Sequence, residues 1–463
     1  MIRLTFHGGA RSVTGSRHLL EVGTDRLLLD CGLHQGLKAL RERNWAAPGF
    51  EPRTVGALVL THAHIDHTGW VPRLVRLGFR GPIYCTRPTS ELADFMLRDA
   101  ARLQEEDAEY LNRKKLTKHD PALPLYEEAD VEQALPLFRP VAEGAWTRVS
   151  EHYEFRLINV GHLLGSAMAQ VRVTDEGKST TVLFTGDVGR PHMPMVPDPD
   201  PPPASDYLIC ESTYGDRCHC NTDIAPQIAE VAERVLRRKG ILLVPAFAVG
   251  RAQQMIYLLR QLTVSGRIPK ATIYLDSPMA LEATKLYRKY YSQDWDPTDP
   301  ALPDGTELSG DQVRLVRSQQ ESRALNDLRG PAVVISSSGM LAGGRILHHL
   351  AHHLGDRDNF ILLTGYQAEG TRGRALADGA RSIRIHGQDI GVRAEVGTVH
   401  GLSGHADYHE LQRWLKDFPV PKRTFLVHGE ATQAEGLARR LTETRGFACT
   451  VPDLNDSFLV DAY

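Results

Sequence analysis

Residues 61–67 read Thr-His-Ala-His-Ile-Asp-His, which places His62, His64, Asp66 and His67 within six positions, directly after the apolar run Ala57 to Leu60. Imidazole nitrogens and a carboxylate at this density suit zinc, and a loop at the end of a strand lets several donors converge without competing for one face. Three later donors also follow strand-like runs: His162 after Leu157-Ile-Asn-Val-Gly, Asp187 after Val182-Leu-Phe-Thr-Gly, and His428 after Thr424-Phe-Leu-Val. Any one of these histidines alone reads more simply as a structural residue. Together the seven donors suffice for two metal ions that share a carboxylate and keep a position open for water.

These donors need elements to position them. The first part of the chain reads as short strands joined by tight turns, over Ile2 to Phe6, His18 to Val22, Arg26 to Asp30 and 57–60, with Gly and Asp as punctuation. Leu92, Phe95, Met96, Leu103 and Leu111 among many charges predict a helix over 89–113, and the basic run Lys114 to Lys118 behind it reads as a solvated loop. Further strands are expected over Phe155 to Val160, Ala169 to Val173 and Thr181 to Thr185, before the Pro-rich stretch 191–203 breaks regular structure. The rhythm then changes: Ile241 to Pro245, Ala271 to Leu275, Ala332 to Ile335 and Phe360 to Leu363 are short apolar strands separated by helical segments, the pattern of a parallel α/β sheet. From about 381 the strand-and-turn style returns, ending in Arg423 to His428 and a helix at 431–445. One α/β domain therefore interrupts another, with expected spans 1–208, 209–380 for the insertion, and 381–463.

Composition sets outer bounds. With 463 residues, 42% of them apolar, the chain can bury a core in each of two or three domains. No stretch reaches the roughly 18 apolar residues of a membrane span. The start runs straight into strand-like sequence rather than a signal peptide, so a cytoplasmic protein is expected. The six cysteines (Cys31, Cys85, Cys210, Cys218, Cys220, Cys449) show no disulfide framework, in keeping with a reducing compartment. Cys218-His219-Cys220 lacks a second ligand pair and makes a poor separate zinc site. A net charge of -3 gives no overall attraction for a polyanion; two bound divalent cations would reverse the local field.

With these residues in view, the chain resembles the metallo-β-lactamase superfamily, whose His-x-His-x-Asp-His signature is His62 to His67, followed by His162 and Asp187. More narrowly it is similar to the β-CASP nucleases, a group that includes the cleavage and polyadenylation endonuclease subunit. The resemblance spans nearly the whole chain. Its marks are Leu208-Ile-Cys-Glu211-Ser-Thr-Tyr-Gly-Asp, Pro245-Ala-Phe-Ala-Val-Gly-Arg251, Ser338-Gly-Met-Leu-Ala-Gly-Gly-Arg345, Ser403-Gly-His405-Ala-Asp and Val427-His428-Gly-Glu. It implies an αββα sandwich with an inserted parallel-sheet β-CASP domain. It also implies that His62, His64 and His162 hold one Zn2+, that Asp66, His67 and His428 hold a second, and that Asp187 bridges them. Asp30 matches the first family motif and would orient ligands from behind.

The function so implied is hydrolysis of RNA phosphodiester bonds by a two-metal-activated hydroxide, in RNA processing or degradation. Asp66 belongs to the catalytic centre, and Glu211 and His405 match the family's pair near the leaving group. His405, oriented by Glu211, is the candidate general acid, since imidazole titrates near working pH and a carboxylate favours its charged form. Arg251 and the Gly-rich loop from Ser338 and Gly339 would contact substrate phosphates; helix packing explains those glycines equally well, and the loop lacks the Gly-Lys-Ser/Thr ending of a P-loop. Single-stranded RNA is the implied partner, because RNA-acting members carry a histidine at the position of His428. Three alternatives stand beside it: a hydrolase of small esters, a DNA nuclease, and an inactive RNA-processing scaffold. The first needs no inserted domain, and scaffolds of the family have lost ligands that are all present here. The chain opens directly on the catalytic domain, so the N-terminal RNA-binding extension of many archaeal relatives is not expected, and a homodimer would have to form without it.

Overall fold

Period-two burial explains the apolar runs. Leu27 and Leu29, Ala57 and Val59, Val182 and Phe184, Tyr207 and Ile209, and Phe425 and Val427 enter one shared core, while the residues between them face the other way. Leu28 and Leu58 join a layer with Trp70, Leu74, Leu97 and Val131, and Leu183, Leu208 and Leu426 join another with Leu411, Leu437 and Leu441. A strand apolar on both faces must be covered on both faces, which gives a four-layer arrangement of helices, sheet, sheet and helices.

The computed structural model describes residues 1–460 except 118, 220–222, 292–307, 309, 366 and 368–369. Among the described residues, one seven-stranded sheet runs in the order Ser457–Val460, Ile2–Gly8, Arg17–Val22, Asp25–Leu29, Ala57–Val59, Ile83–Cys85, Phe138–Pro140. The other runs Cys449–Thr450, Arg423–Val427, Tyr207–Glu211, Lys178–Phe184, Ala167–Asp175, Tyr153–Asn159, Thr147–Arg148. The outer helices Val71–Arg76, Arg87–Lys114 and Glu128–Ala134 cover the first sheet, and Tyr408–Trp414 and Ala431–Arg445 cover the second. The longest of them begins where Thr86 accepts a hydrogen bond from the Thr89 amide. No described helix is long and apolar enough to cross a membrane.

The backbone divides into two units, Met1–Cys218 with Gly404–Tyr463, and His219–Ser403. The second unit holds a parallel sheet in the order Val313–Leu315, Thr272–Asp276, Ala332–Ser336, Ile241–Pro245, Phe360–Leu363, Glu395–Thr398. The chain passes between units at 218/219 and 403/404, where the sequence alone suggests 208/209 and 380/381. Two pairings explain the shift. Tyr207–Glu211 lies between Lys178–Phe184 and Arg423–Val427, and Glu395–Thr398 pairs in parallel with Phe360–Leu363.

Candidate metal centre

All the candidate ligands sit on loops or turns at the carboxyl ends of strands in the first unit. His62 follows Ala57–Val59, and Asp66 and His67 lie on the one-turn helix Ile65–Thr68. Asp187, Glu211 and His428 come from the ends of three neighbouring parallel strands, so one ladder brings together residues far apart in sequence. Two glycines permit the crowding. Gly186 adopts φ +55°, and a Cβ there would lie 2.7 Å from the Thr61 side chain; one at Gly32 would lie 1.5 Å from the Asp66 carbonyl. His428 and Asp30 hold left-handed backbone conformations (φ 49° and 58°) that a non-glycine residue adopts only when its surroundings impose them.

The donors fall into two sets on either side of Asp187. In the first, His62 Nε2 lies 3.1 Å from His64 Nδ1, His162 Nε2 lies 3.3 Å from His64 Nδ1, and Asp187 Oδ2 is 3.4 Å from His62 and 3.6 Å from His162. In the second, His428 Nε2 lies 3.1 Å from His67 Nε2 and 3.3 Å from Asp66 Oδ2, while Asp187 Oδ1 is 3.3 Å from His67 Nε2. Zinc–nitrogen bonds of about 2.0–2.1 Å in a tetrahedral shell put neighbouring donors about 3.3 Å apart, which matches both sets. Asp187 Oδ1 is buried and accepts no hydrogen bond. An orphaned carboxylate oxygen facing histidine nitrogens is what a shared cation would satisfy. The residues present fit bound metal.

Protonation follows from burial and charge. Burial drives His62 and His162 well below the ordinary imidazole value and lowers His64, leaving neutral rings with lone pairs to give. For Asp187 burial opposes ionisation, but His428, His67 and His405 outweigh it and hold the carboxyl well below its usual range. Asp66 is likewise held down to about 2, burial being outweighed by His428 and His67. His67 is opposed by burial yet raised well above its ordinary value by Asp187 and Asp30, so it must release a proton before Nε2 can ligate.

The far side of each ring is held as well. Asp30, fully buried, accepts from His67 Nδ1 at 2.6 Å and from the Thr61 amide and hydroxyl at 2.8 and 2.9 Å. His162 Nδ1 donates to the Gly404 carbonyl (3.0 Å), and Thr213 Oγ1 lies 3.1 Å from His428 Nδ1. Thr61, Thr213 and Gly404 escape sequence reasoning; their places directly beside the motif residues are the signal that could have found the first and last. Glu211 is buried and accepts from the Val188 and Thr213 amides, at 2.7 and 3.2 Å, and from His405 Nδ1, at 3.1 Å. His405 keeps 20% of its side chain exposed. Burial opposes its charge, but Glu211 and Asp187 raise it to about 9.

Arg251, Ser338 and Gly339 lie in the second unit. Arg251 Nη1 donates to the Thr364 carbonyl, and Ser338 Oγ accepts from the Ala342 and Gly343 amides at 3.0 and 3.2 Å. Cys218 is a free, exposed thiol, and Cys220 lies outside the described residues.

Comparison with known proteins finds three family matches along the chain. Residues 15–216 match the metallo-β-lactamase superfamily, 252–376 the β-CASP domain, and 389–452 a Zn-dependent metallo-hydrolase RNA specificity domain. The chain is 40% identical over 449 residues to Ribonuclease TTHA0252 of Thermus thermophilus, an alignment that covers 95% of this chain and 96% of that one. It is 33% identical to the transcription termination factor FttA of Methanocaldococcus jannaschii (93% and 67% covered) and 31% identical to an RNase J-like protein of the same organism (98% and 98%). A crystal structure of a protein of unknown function from Enterococcus faecalis shares the fold, with a TM-score of 0.57 at 13% identity over 99% of this chain and 100% of that one.

Proposed function

We propose that this chain, which belongs to the β-CASP family of the metallo-β-lactamase superfamily, is a two-zinc ribonuclease that hydrolyses phosphodiester bonds of single-stranded RNA. The observation that carries the reading is Asp187, which presents Oδ2 to His62 and His162 and Oδ1 to His67. His62, His64 and His162 would hold one ion, Asp66, His67 and His428 the other, with Asp187 between them. Bound there, the ions would supply an activated water and neutralise charge on the phosphoryl oxygens.

The chain's own groups do the rest. Asp30 and the Gly404 carbonyl fix the ring orientations of His67 and His162, so that each presents Nε2 inward, and Thr213 holds His428 Nδ1. Glu211, immobilised by two backbone amides, holds His405 Nδ1 and favours its protonated form. The exposed edge of His405 can then deliver a proton to the departing ribose oxygen. RNA as the substrate is supported by the RNA specificity domain match and by relatives named as ribonucleases. We read Arg251 and Ser338 as braces of strand-end loops, because their hydrogen bonds go to Thr364 and to the loop 338–343. Buried free thiols at Cys31, Cys85 and Cys210 suit a cytoplasmic enzyme.

The test is metal analysis followed by incubation with single-stranded RNA, single-stranded DNA and a small phosphodiester. RNA cleavage that is lost in Asp66→Ala and His428→Ala is expected. Protein that binds zinc but cleaves no RNA would overturn the reading.

A further inference from the structure

Among the described residues of the second unit, Phe247 is an exposed aromatic, with 49% of its surface in water. A single exposed apolar residue is ordinary in itself. The place and the stiffness of this one are not. It sits in the loop leaving Ile241–Pro245, between the ends of Ala332–Ser336 and Phe360–Leu363 on either side, and the carboxyl ends of parallel strands are where open α/β sheets take ligands.

The three strand ends are knit together. The Ala246 amide donates to the Ser336 carbonyl (3.0 Å), Thr364 Oγ1 to the Pro245 carbonyl (2.9 Å), and Gln367 Nε2 to the Gly339 carbonyl (3.2 Å). Gly339 has no side chain to cover the ring; a Cβ there would lie 3.2 Å from Phe247 Cδ2. The polar groups nearby are used within the loops, Arg251 on the Thr364 carbonyl and Ser338 on its own turn. Among the described residues, what this surface presents to a ligand is therefore an aromatic ring on a braced loop.

We propose that the second unit holds single-stranded RNA by its bases, with Phe247 as a stacking platform, an inference that rests on RNA being the substrate. Stacking on an aromatic face tolerates any base, and a ring carried on a braced loop spares the cost of ordering the backbone when a base settles on it. Phe247 is thus a positioning residue for RNA of any sequence.

The experiment uses the metal-loaded full chain and its Phe247→Ala, Phe247→Leu and Phe247→Trp variants. Binding of fluorescent oligoadenylate is read by stopped-flow polarisation before turnover, alongside KM and kcat on the same RNA and on one carrying abasic riboses. Phe247→Ala should raise Kd and KM roughly tenfold with kcat little changed. Tryptophan should restore affinity and leucine should not, and on abasic RNA the four proteins should converge. Equal affinity of wild type and Phe247→Ala, or full rescue by leucine, would overturn the inference and leave the nuclease reading intact. A wild type that binds RNA with this variant pattern but never cleaves it would overturn the nuclease reading alone, and one that binds no RNA would overturn both.

Discussion

Asp187 in the first unit and Asp276 in the second are both buried carboxylates at the ends of strands, and the protein surrounds them in opposite ways. Asp276 accepts from Ser322 Oγ, Arg345 Nη1 and His349 Nε2, each at 2.6 Å. Asp187 is ringed by nitrogens of His62, His67 and His162 at 3.3–3.6 Å, and its Oδ1 accepts no hydrogen bond. The shorter distance is that of a charge-assisted hydrogen bond; the longer is that of two donors sharing one ion. Asp276 is complete without any ligand and stabilises the fold. Asp187 is the one that a metal would complete.

The sharpest way to break this contrast is to substitute each carboxylate. Asp187→Asn should lower kcat/KM on RNA by about a thousandfold or more, since a metal pair held there would supply several kcal/mol of transition-state stabilisation. Zinc content should fall with it, as read by atomic absorption, while far-UV circular dichroism stays unchanged. Asp276→Ala should split the other way. It strands Arg345 and His349 and should cost about 3 kcal/mol in urea unfolding, with zinc content and the activity of the folded fraction retained.

His405 separates acid catalysis from metal binding. His405→Ala should lower kcat by about a hundredfold with zinc content unchanged. An acid must be protonated to act, so activity should decline as pH rises through its pKa. Glu211 raises that pKa, so Glu211→Gln should move the alkaline limb of the kcat profile to lower pH. The smallest effect is expected at Thr213→Val, which removes a partner of His428 and should weaken zinc affinity about tenfold in a competition titration with a chelator.

The candidate donors are more legible in the sequence than the strand pairings that set the two units. His62 to His67 announce themselves by density, and His162, Asp187 and His428 by their places after apolar runs that alternate between two cores. The limits depend on pairing partners, which local pattern does not encode. Glu395–Thr398 falls in the strand-and-turn stretch after 381, and only its place beside Phe360–Leu363 assigns it to the second unit. The Asp276 cluster was invisible for the same reason, because Ser322, Arg345 and His349 come from separate segments and carry no motif spacing. Phe247 lies inside a motif, yet sequence does not distinguish an exposed aromatic from a core one.

The most direct measurement of the central claim is an anomalous difference map at the zinc edge from crystals of the metal-loaded protein. The account predicts two peaks, one against each carboxylate oxygen of Asp187, the first also contacted by His62, His64 and His162 and the second by Asp66, His67 and His428. A single peak, or zinc bound away from Asp187, would contradict it.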